Sequence, residues 1–223
     1  MNPETWTAVE NYISGLIVPA DEALTAALRR SRESGLPPIN VSPLQGQLLQ
    51  LLARSISAKR ILEIGTLGGY STIWLARSLP RDGRLTTLEA NPDFADVARQ
   101  NITGANLEGA IDVRVGLAAE TLPALADEGA GPFDFVFIDA DKANISDYFS
   151  WSLRLTLPGS LIIVDNVVRG GGVLESQSQD PTIEGIRSFN AMLSTETRVL
   201  ASTVQTVGTK GYDGFTVALV LPR

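Results

Sequence analysis

The sequence predicts an α/β domain built on a mostly parallel sheet, with helices on both faces and an antiparallel hairpin at its end. Three observations carry this. Short apolar runs alternate with helical stretches from residue 60 onward. Four of these runs end on, or carry near their end, a carboxylate: Ile61–Ile64 with Glu63, Leu85–Leu88 then Glu89, Phe135–Ile138 then Asp139, and Leu161–Val164 then Asp165. The tail then changes character, with two strand-like runs joined through Gly208, Gly211 and Gly214. Continuous apolar runs of this length mark strands buried on both faces. Ligands of such sheets bind beyond the carboxyl ends of the strands. Acidic groups should therefore gather at one edge, where an organic ligand and a cation could sit.

The elements follow in order. Residues 3–17 place Trp6, Val9, Ile13, Leu16 and Ile17 at helical spacing. Asp21 caps a second helix carrying Leu24, Ala27 and Leu28 and ending near Gly35. Pro37 and Pro38 break the chain, and Ser42-Pro43 opens a third helix through Leu44, Leu48, Leu51 and Leu52. Strand 60–64 then precedes a helix over 70–79, and Asp82-Gly83 turns into strand 84–89. Pro92 helps open a helix over 92–105. Strand 111–115 leads to a short helix over 118–127, and strand 133–138 to a helix over 142–157. Pro158-Gly159 should stop that helix before strand 160–164. A glycine-rich loop from Arg169 to Gly172 and a helix at about 182–195 come next. Val199–Val207 and Phe215–Leu221 form the hairpin, which must be antiparallel. The expected organisation is a single domain over 1–223, with residues 1–40 as a helical extension and 41–223 as the α/β core. The extension would pack on the domain or on a second subunit, a homodimer.

Composition narrows the chemistry. The 223 residues are 44% hydrophobic, enough for a folded core, and no apolar run reaches the length of a membrane span. The N-terminus carries Glu4 and Glu10 and lacks the basic start of a secretory signal. There is no cysteine and no histidine. Thiol nucleophiles, thiolate–zinc sites and histidine triads are therefore excluded. A metal would have to be held by oxygen, which favours magnesium, calcium or manganese. Acid–base work must fall to Lys, Asp, Glu or Tyr. Absence of cysteine fits a reducing cytoplasm. The net charge of −7 repels phosphate backbones, so nucleic acid is a poor partner.

Between the first strand and its helix, ILEIGTLGGYST (61–72) sets Gly65, Gly68 and Gly69 in a turn. Glycines there allow close approach of backbone to ligand. The full G-x-G-x-x-G of dinucleotide binders is missing, because Glu63 occupies the first glycine position. A carboxylate there suits a cationic ligand, an amine or a sulfonium. Glu89 ends the second strand, where an acid accepts hydrogen bonds from ribose hydroxyls. A cationic amino acid joined to a ribonucleoside describes S-adenosylmethionine. Alone, the turn is also what an ordinary βα connection looks like, and Glu89 what a surface acid looks like.

FVFIDADK (135–142) and SLIIVDN (160–166) put oxygen ligands directly after two buried strands. Asp139, Asp165 and Asn166 could supply three ligands to one divalent cation, with water and substrate completing about six. Lys142 should begin the helix three residues after Asp139. A lysine beside a cation in a desolvated pocket can serve as a base. Singly, Asp139 reads equally as a helix N-cap and Lys142 as a solvated lysine. Asp141 reads better as a first-turn carboxylate than as a ligand.

Together ILEIGTLGGYS, Glu89, FIDADK and VDN resemble the cation-dependent catechol and caffeoyl-CoA type O-methyltransferases, over residues from about 37 to the end. The resemblance implies a Rossmann-like methyltransferase fold with a seven-stranded sheet. It implies Mg²⁺ on Asp139, Asp165 and Asn166, with Lys142 as base. It matches Val41, Glu63, Gly65, Thr66, Ser71, Glu89 and Ala118, with Asp139, to cofactor-contacting positions. GLAAETL from Gly116 matches the loop near the adenine. The implied reaction is methyl transfer from S-adenosylmethionine to a hydroxyl of a catechol-like, phenolic small molecule. Two positions depart from the pattern where the acceptor is expected: Ile145 replaces an aromatic, and Arg169 a tryptophan. Arg169 could favour an acidic acceptor, and the glycines at 170–172 could let a loop close over the site.

Three rival readings stand beside this one. Glu63 and the closing hairpin argue against a nicotinamide-dependent oxidoreductase. The intact set of Asp139, Asp165, Asn166 and Lys142 argues against a non-catalytic ligand-binding domain. The third is methylation of a nitrogen or of a macromolecule, and the acidic balance disfavours nucleic acid.

Overall fold

The structure, a computed structural model, describes residues 2–222. Seven strands form one sheet in the order β3-β2-β1-β4-β5-β7-β6. They are β1 (Arg60–Ile64), β2 (Arg84–Glu89), β3 (Ile111–Val115), β4 (Phe133–Ile138), β5 (Thr156–Asp165), β6 (Val199–Gly208) and β7 (Gly211–Val220). The first five pair in parallel, whereas β7 runs antiparallel to both β5 and β6. The expected mostly parallel sheet with a terminal hairpin is therefore present.

Side chains alternate across the sheet, and both faces are filled. Leu62, Val136, Ile138, Ile162 and Val164 pack on one side with Phe149 and Phe189. Ile61, Phe135, Phe137 and Ile163 pack on the other with Ile73, Trp74 and Leu49. That two-sided burial is why the strands are continuous apolar runs rather than alternating ones.

The helices are α1 (Pro3–Ile17), α2 (Glu22–Glu33), α3 (Pro43–Ser55), α4 (Tyr70–Ala76), α5 (Pro92–Gly104), α6 (Ala118–Asp127), α7 (Ile145–Arg154) and α8 (Pro181–Thr195). Their starts follow local chemistry. Asp21, Ser42, Asn91 and Asp180 each accept a hydrogen bond from a first-turn N–H, and Pro43, Pro92 and Pro181 open their helices. None of the α1 residues is buried, whereas α2 places Leu24 and Ala27 in the core beside Trp74. No helix among the described residues is long and apolar enough to cross a membrane.

Several boundaries differ from expectation. Helix α4 stops at Ala76, because the chain tightens into turns before Pro80. Lys142 lies in the loop before α7 and does not begin the helix; Asn144 is the cap residue. Pro158-Gly159 does not stop a helix but sits inside β5. Thr156 already pairs with Phe133, and the register shifts before Leu161 meets Phe135. Proline is tolerated at such an irregularity because it lacks a ladder donor. Strand β7 starts at Gly211, four residues early, since its ladder to β6 runs to the hairpin turn. The Arg169–Gly172 segment is a 3-10 turn with Gly170 at φ 64 and Gly171 at φ 95.

Candidate functional site

Strand order reverses at β1, which lies between β2 and β4, and a crevice opens beyond the strand ends there. A cavity of about 590 Å³ fills it. Its walls come from the turn after β1 (Gly65, Thr66) and the start of α4 (Ser71), the end of β2 (Glu89), the start of α6 (Ala118), and the loop after β4 (Asp139, Lys142). Asn166 and Arg169 after β5, and Ile39–Val41 before α3, complete it. Every residue expected to hold the cofactor or metal or to act as base lines this cavity except Glu63 and Asp165.

The floor is set by backbone bonds that prolong the sheet. Gly65 N–H donates to the Leu88 carbonyl at 3.0 Å, and Asp139 N–H to the Ile64 carbonyl at 2.9 Å. Gly65 has φ 102, and a Cβ there would lie 2.1 Å from the Asp139 carbonyl oxygen. Glycine is thus required for the first and fourth strand ends to touch. Glu89 is pinned by two main-chain donors, Leu67 N–H to Oε2 at 2.7 Å and Asn91 N–H to Oε1 at 2.9 Å. Each oxygen keeps lone pairs for a vicinal diol such as a ribose.

Glu63 lies behind Ser71, which lines the cavity. Glu63 is fully buried, because its strand pairs on both sides inside the sheet. Ser71 donates to Oε1 at 2.6 Å, Thr87 to Oε2 at 2.7 Å, and Thr72 also to Oε2. Thr87 has one proton and gives it to Glu63, so Thr66 must donate in the 2.6 Å Thr66–Thr87 contact. Burial pushes the Glu63 carboxyl up to about 7 against the pull of these hydroxyls, and Asp139 adds repulsion. Ser71 lines the cavity. With its proton given to Glu63, it can only accept there, which suits an ammonium group.

At the other end, Lys142 is 7% exposed and its Nζ lies 3.0 Å from Asp139 Oδ1. Helix α8 comes so close to the Lys142 backbone that a Cβ on Gly185 would lie 2.0 Å from its carbonyl oxygen. Asp165 is 4% exposed and lies behind the lining. Its Oδ1 accepts from Asn166 N–H at 2.8 Å and its Oδ2 from Gln45 Nε2 at 2.6 Å. Burial, with repulsion from Asp139, pushes its carboxyl up to about 7, against the opposing pull of Lys142 and the two donors. Asn166 leaves the strand at φ 57, a conformation asparagine tolerates, and reaches the cavity.

This donor set fits a hard cation. Two carboxylates repel one another in a desolvated pocket, with one lysine between them and a neutral amide alongside. A cation removes that repulsion, and oxygen ligands of this charge suit magnesium-like ions. No group of three or more His, Cys, Asp or Glu side chains placed to hold a metal occurs among the described residues, and Asn166 would be the neutral member of a mixed set.

Three further residues were not foreseen. Gln45 and Gly185 act through neighbours far away in sequence, which leaves no local signal. Tyr148 lines the cavity and donates to Asp141, which also accepts from Asn144 N–H. Asp141 therefore organises the entry to α7 from outside the helix, not from its first turn. Ile145 is fully buried and away from the lining, so it does not meet an acceptor as expected. Arg169 does line the cavity, but its loop is tied down, with Val168 and Arg169 N–H both donating to Asp213 Oδ1. Gly170 and Gly171 both take positive φ in this turn.

A sequence-family profile described as O-methyltransferase matches residues 18–221. A catechol O-methyltransferase from Niastella koreensis is 52% identical over 220 residues, covering 99% of this chain and 100% of the relative. An O-methyltransferase from Bacillus cereus, solved in complex with SAH, superposes with a TM-score of 0.97 at 52% identity, covering 98% of this chain and 100% of that one. The O-methyltransferase TomG from Streptomyces achromogenes, involved in tomaymycin synthesis and solved with SAM, gives 0.96 at 50% identity, with complete coverage of both chains (100%).

Proposed function

The chain belongs to the O-methyltransferase family, and from that premise we propose that it methylates one hydroxyl of a catechol-like small molecule. S-adenosylmethionine is the donor, a divalent cation such as Mg²⁺ assists, and Lys142 is the base. The observation that carries the reading is the meeting of two walls in one cavity: Ser71 and Glu89 on one, Asp139, Lys142 and Asn166 on the other. When bound, the donor supplies an electrophilic methyl group and the cation favours phenolate at neutral pH.

The chain's own residues do the remainder. Glu89 accepts from ribose hydroxyls, Ser71 accepts from the amine, and Val41, Gly65, Thr66 and Ala118 shape the space between. Asp139, Asp165 and Asn166 would hold the cation. Lys142, as the neutral amine, would take the phenolic proton at Nζ, and Asp139 Oδ1 at 3.0 Å would stabilise the ammonium that results. Aligning the two reactants in this cavity contributes on the order of 7–11 kcal/mol toward the barrier.

The test is methyl transfer from labelled S-adenosylmethionine to a panel of vicinal diols, with Mg²⁺ and with EDTA. Methylated diol that disappears on chelation and returns with added Mg²⁺ is expected. Full turnover in EDTA removes the cation from the proposal; no product from any diol removes the acceptor class.

Residues 41–223 form the catalytic core on this reading, working in a reducing cytoplasm. A second copy covers the face where Leu16 (66% exposed) on α1 and Leu200 (65%) on β6 stand open. Light scattering on the native chain and on Leu16→Glu should give a dimer and a shifted equilibrium; a wild-type monomer at working concentration removes the homodimer.

A further inference from the structure

Gln45 stands in the first turn of α3, and its amide reaches 120 residues along the chain to Asp165 Oδ2 at 2.6 Å. The residues after it, Gly46 and Leu49, are buried, so the helix is fixed before the amide extends. Asp165 needs such a partner. It is nearly fully buried, and its other oxygen is taken by its neighbour's N–H. Asp139 is served differently, by the Lys142 ammonium. The two carboxylates of the site therefore have separate partners, one neutral and one charged.

The choice of a neutral donor matters chemically. A lysine at 45 would form an ion pair with Asp165 and compete with any cation. An apolar residue would leave a buried carboxylate oxygen without a donor, free to rotate or to take a proton. An amide satisfies one lone pair, fixes the plane of the carboxylate and leaves its remaining lone pairs available. Hydrogen bonds of this kind to ligating carboxylates orient the ligand and tune metal affinity.

We propose that Gln45 is a positioning residue for the cation site, holding Asp165 in its ligand orientation from α3. This rests on the cation reading above. It also links the entry of α3 to both halves of the cavity, since Val41, four residues earlier, lines it.

The test uses the full chain saturated with S-adenosylhomocysteine, with Mn²⁺ as probe, read by titration calorimetry and by the electron paramagnetic resonance of free Mn²⁺. Gln45→Met keeps length without a donor, and Gln45→Leu is a second apolar variant should the first fold poorly. The expected result is a roughly 10–100-fold weaker Mn²⁺ affinity with S-adenosylhomocysteine affinity held within about twofold. Turnover should then recover at saturating metal, a change in metal requirement rather than in maximal rate. Unchanged Mn²⁺ affinity in a folded variant overturns the proposal. So does a parallel loss of metal and S-adenosylhomocysteine binding, which would make Gln45 a strut for α3 alone. A wild-type chain that binds no Mn²⁺ sinks the cation reading itself, and is thereby distinguished from failure of Gln45.

Discussion

Ser71 links Glu63 to the cavity: its hydroxyl donates to Glu63 Oε1 at 2.6 Å, and the residue lines the ligand space. The burial of Glu63 has a consequence for pH. The carboxyl titrates at about 7 in the fold against an ordinary 4.5. Between these values the folded chain binds more protons than the unfolded chain. Stability of the ligand-free protein must then fall as pH rises through that window, by roughly 3 kcal/mol for this group.

Glu63→Gln should flatten that slope by about half, because Asp165 titrates in the same range. It should also weaken S-adenosylmethionine binding, since the amide leaves one acceptor oxygen for the three hydroxyls and Ser71 must compete for it. Chemical unfolding at a series of pH values, with and without the substitution, reads both outcomes. An unaltered slope would mean that Glu63 stays ionised in the fold.

Gly65 makes a sharper claim. A methyl there would meet Asp139 main-chain atoms at 2.1 and 2.7 Å, and φ is +102. Backbone cannot yield cheaply, so Gly65→Ala should cost upward of about 3 kcal/mol and abolish cofactor binding. Gly129 also has positive φ, but nothing lies within 4 Å of its hypothetical Cβ. Gly129→Ala should cost only about 1–2 kcal/mol. Denaturation midpoints for the pair separate conformational strain from steric contact, and equal costs would defeat the steric argument.

Much of this was legible in the sequence, and the reasons are physical. Strands buried on both faces must be apolar throughout, so Ile61–Ile64 and Phe135–Ile138 announced themselves. Helix starts were legible at Asp21, Ser42 and Asn91-Pro92 because capping is local chemistry. What failed was decided by distant partners. Pro158-Gly159 reads as a stop signal, yet pairing of Thr156 with Phe133 draws the segment into the sheet. Lys142 looks helical, yet Asp141 organises the turn ahead of Asn144 and delays the helix to Ile145. The three hydroxyls from α4 and β2 that enclose Glu63 were hidden for the same reason, since periodicity along one strand says nothing of them.

Lys142 should separate chemistry from binding. Its Nζ is buried beside Asp139, and no other lysine or histidine lines the cavity among the described residues. Lys142→Met should lower kcat by roughly 10²–10⁴ while donor affinity changes little. Pre-steady-state methyl transfer measured alongside donor titration gives the two numbers. A variant with normal kcat would reassign the base.

Arg169 offers the last test, on acceptor choice. It is exposed at the rim of the cavity, while its backbone is fixed by Asp213 at 2.9 Å. The guanidinium is thus anchored at its root and free at its tip. The overall charge of −7 repels anions at long range, and Asp141 lines the same cavity. Lys142, the other cationic side chain on the lining, is paired with Asp139, which leaves Arg169 as the unpaired one to favour an anionic acceptor at short range. A diol bearing a ring carboxylate should lose about 3–10-fold in kcat/KM on Arg169→Met, the scale of an exposed ion pair, while an uncharged diol should not. The loss should shrink at high salt, where such a pair is screened. Equal losses for both acceptors would make Arg169 a wall of the cavity rather than a selector of charge.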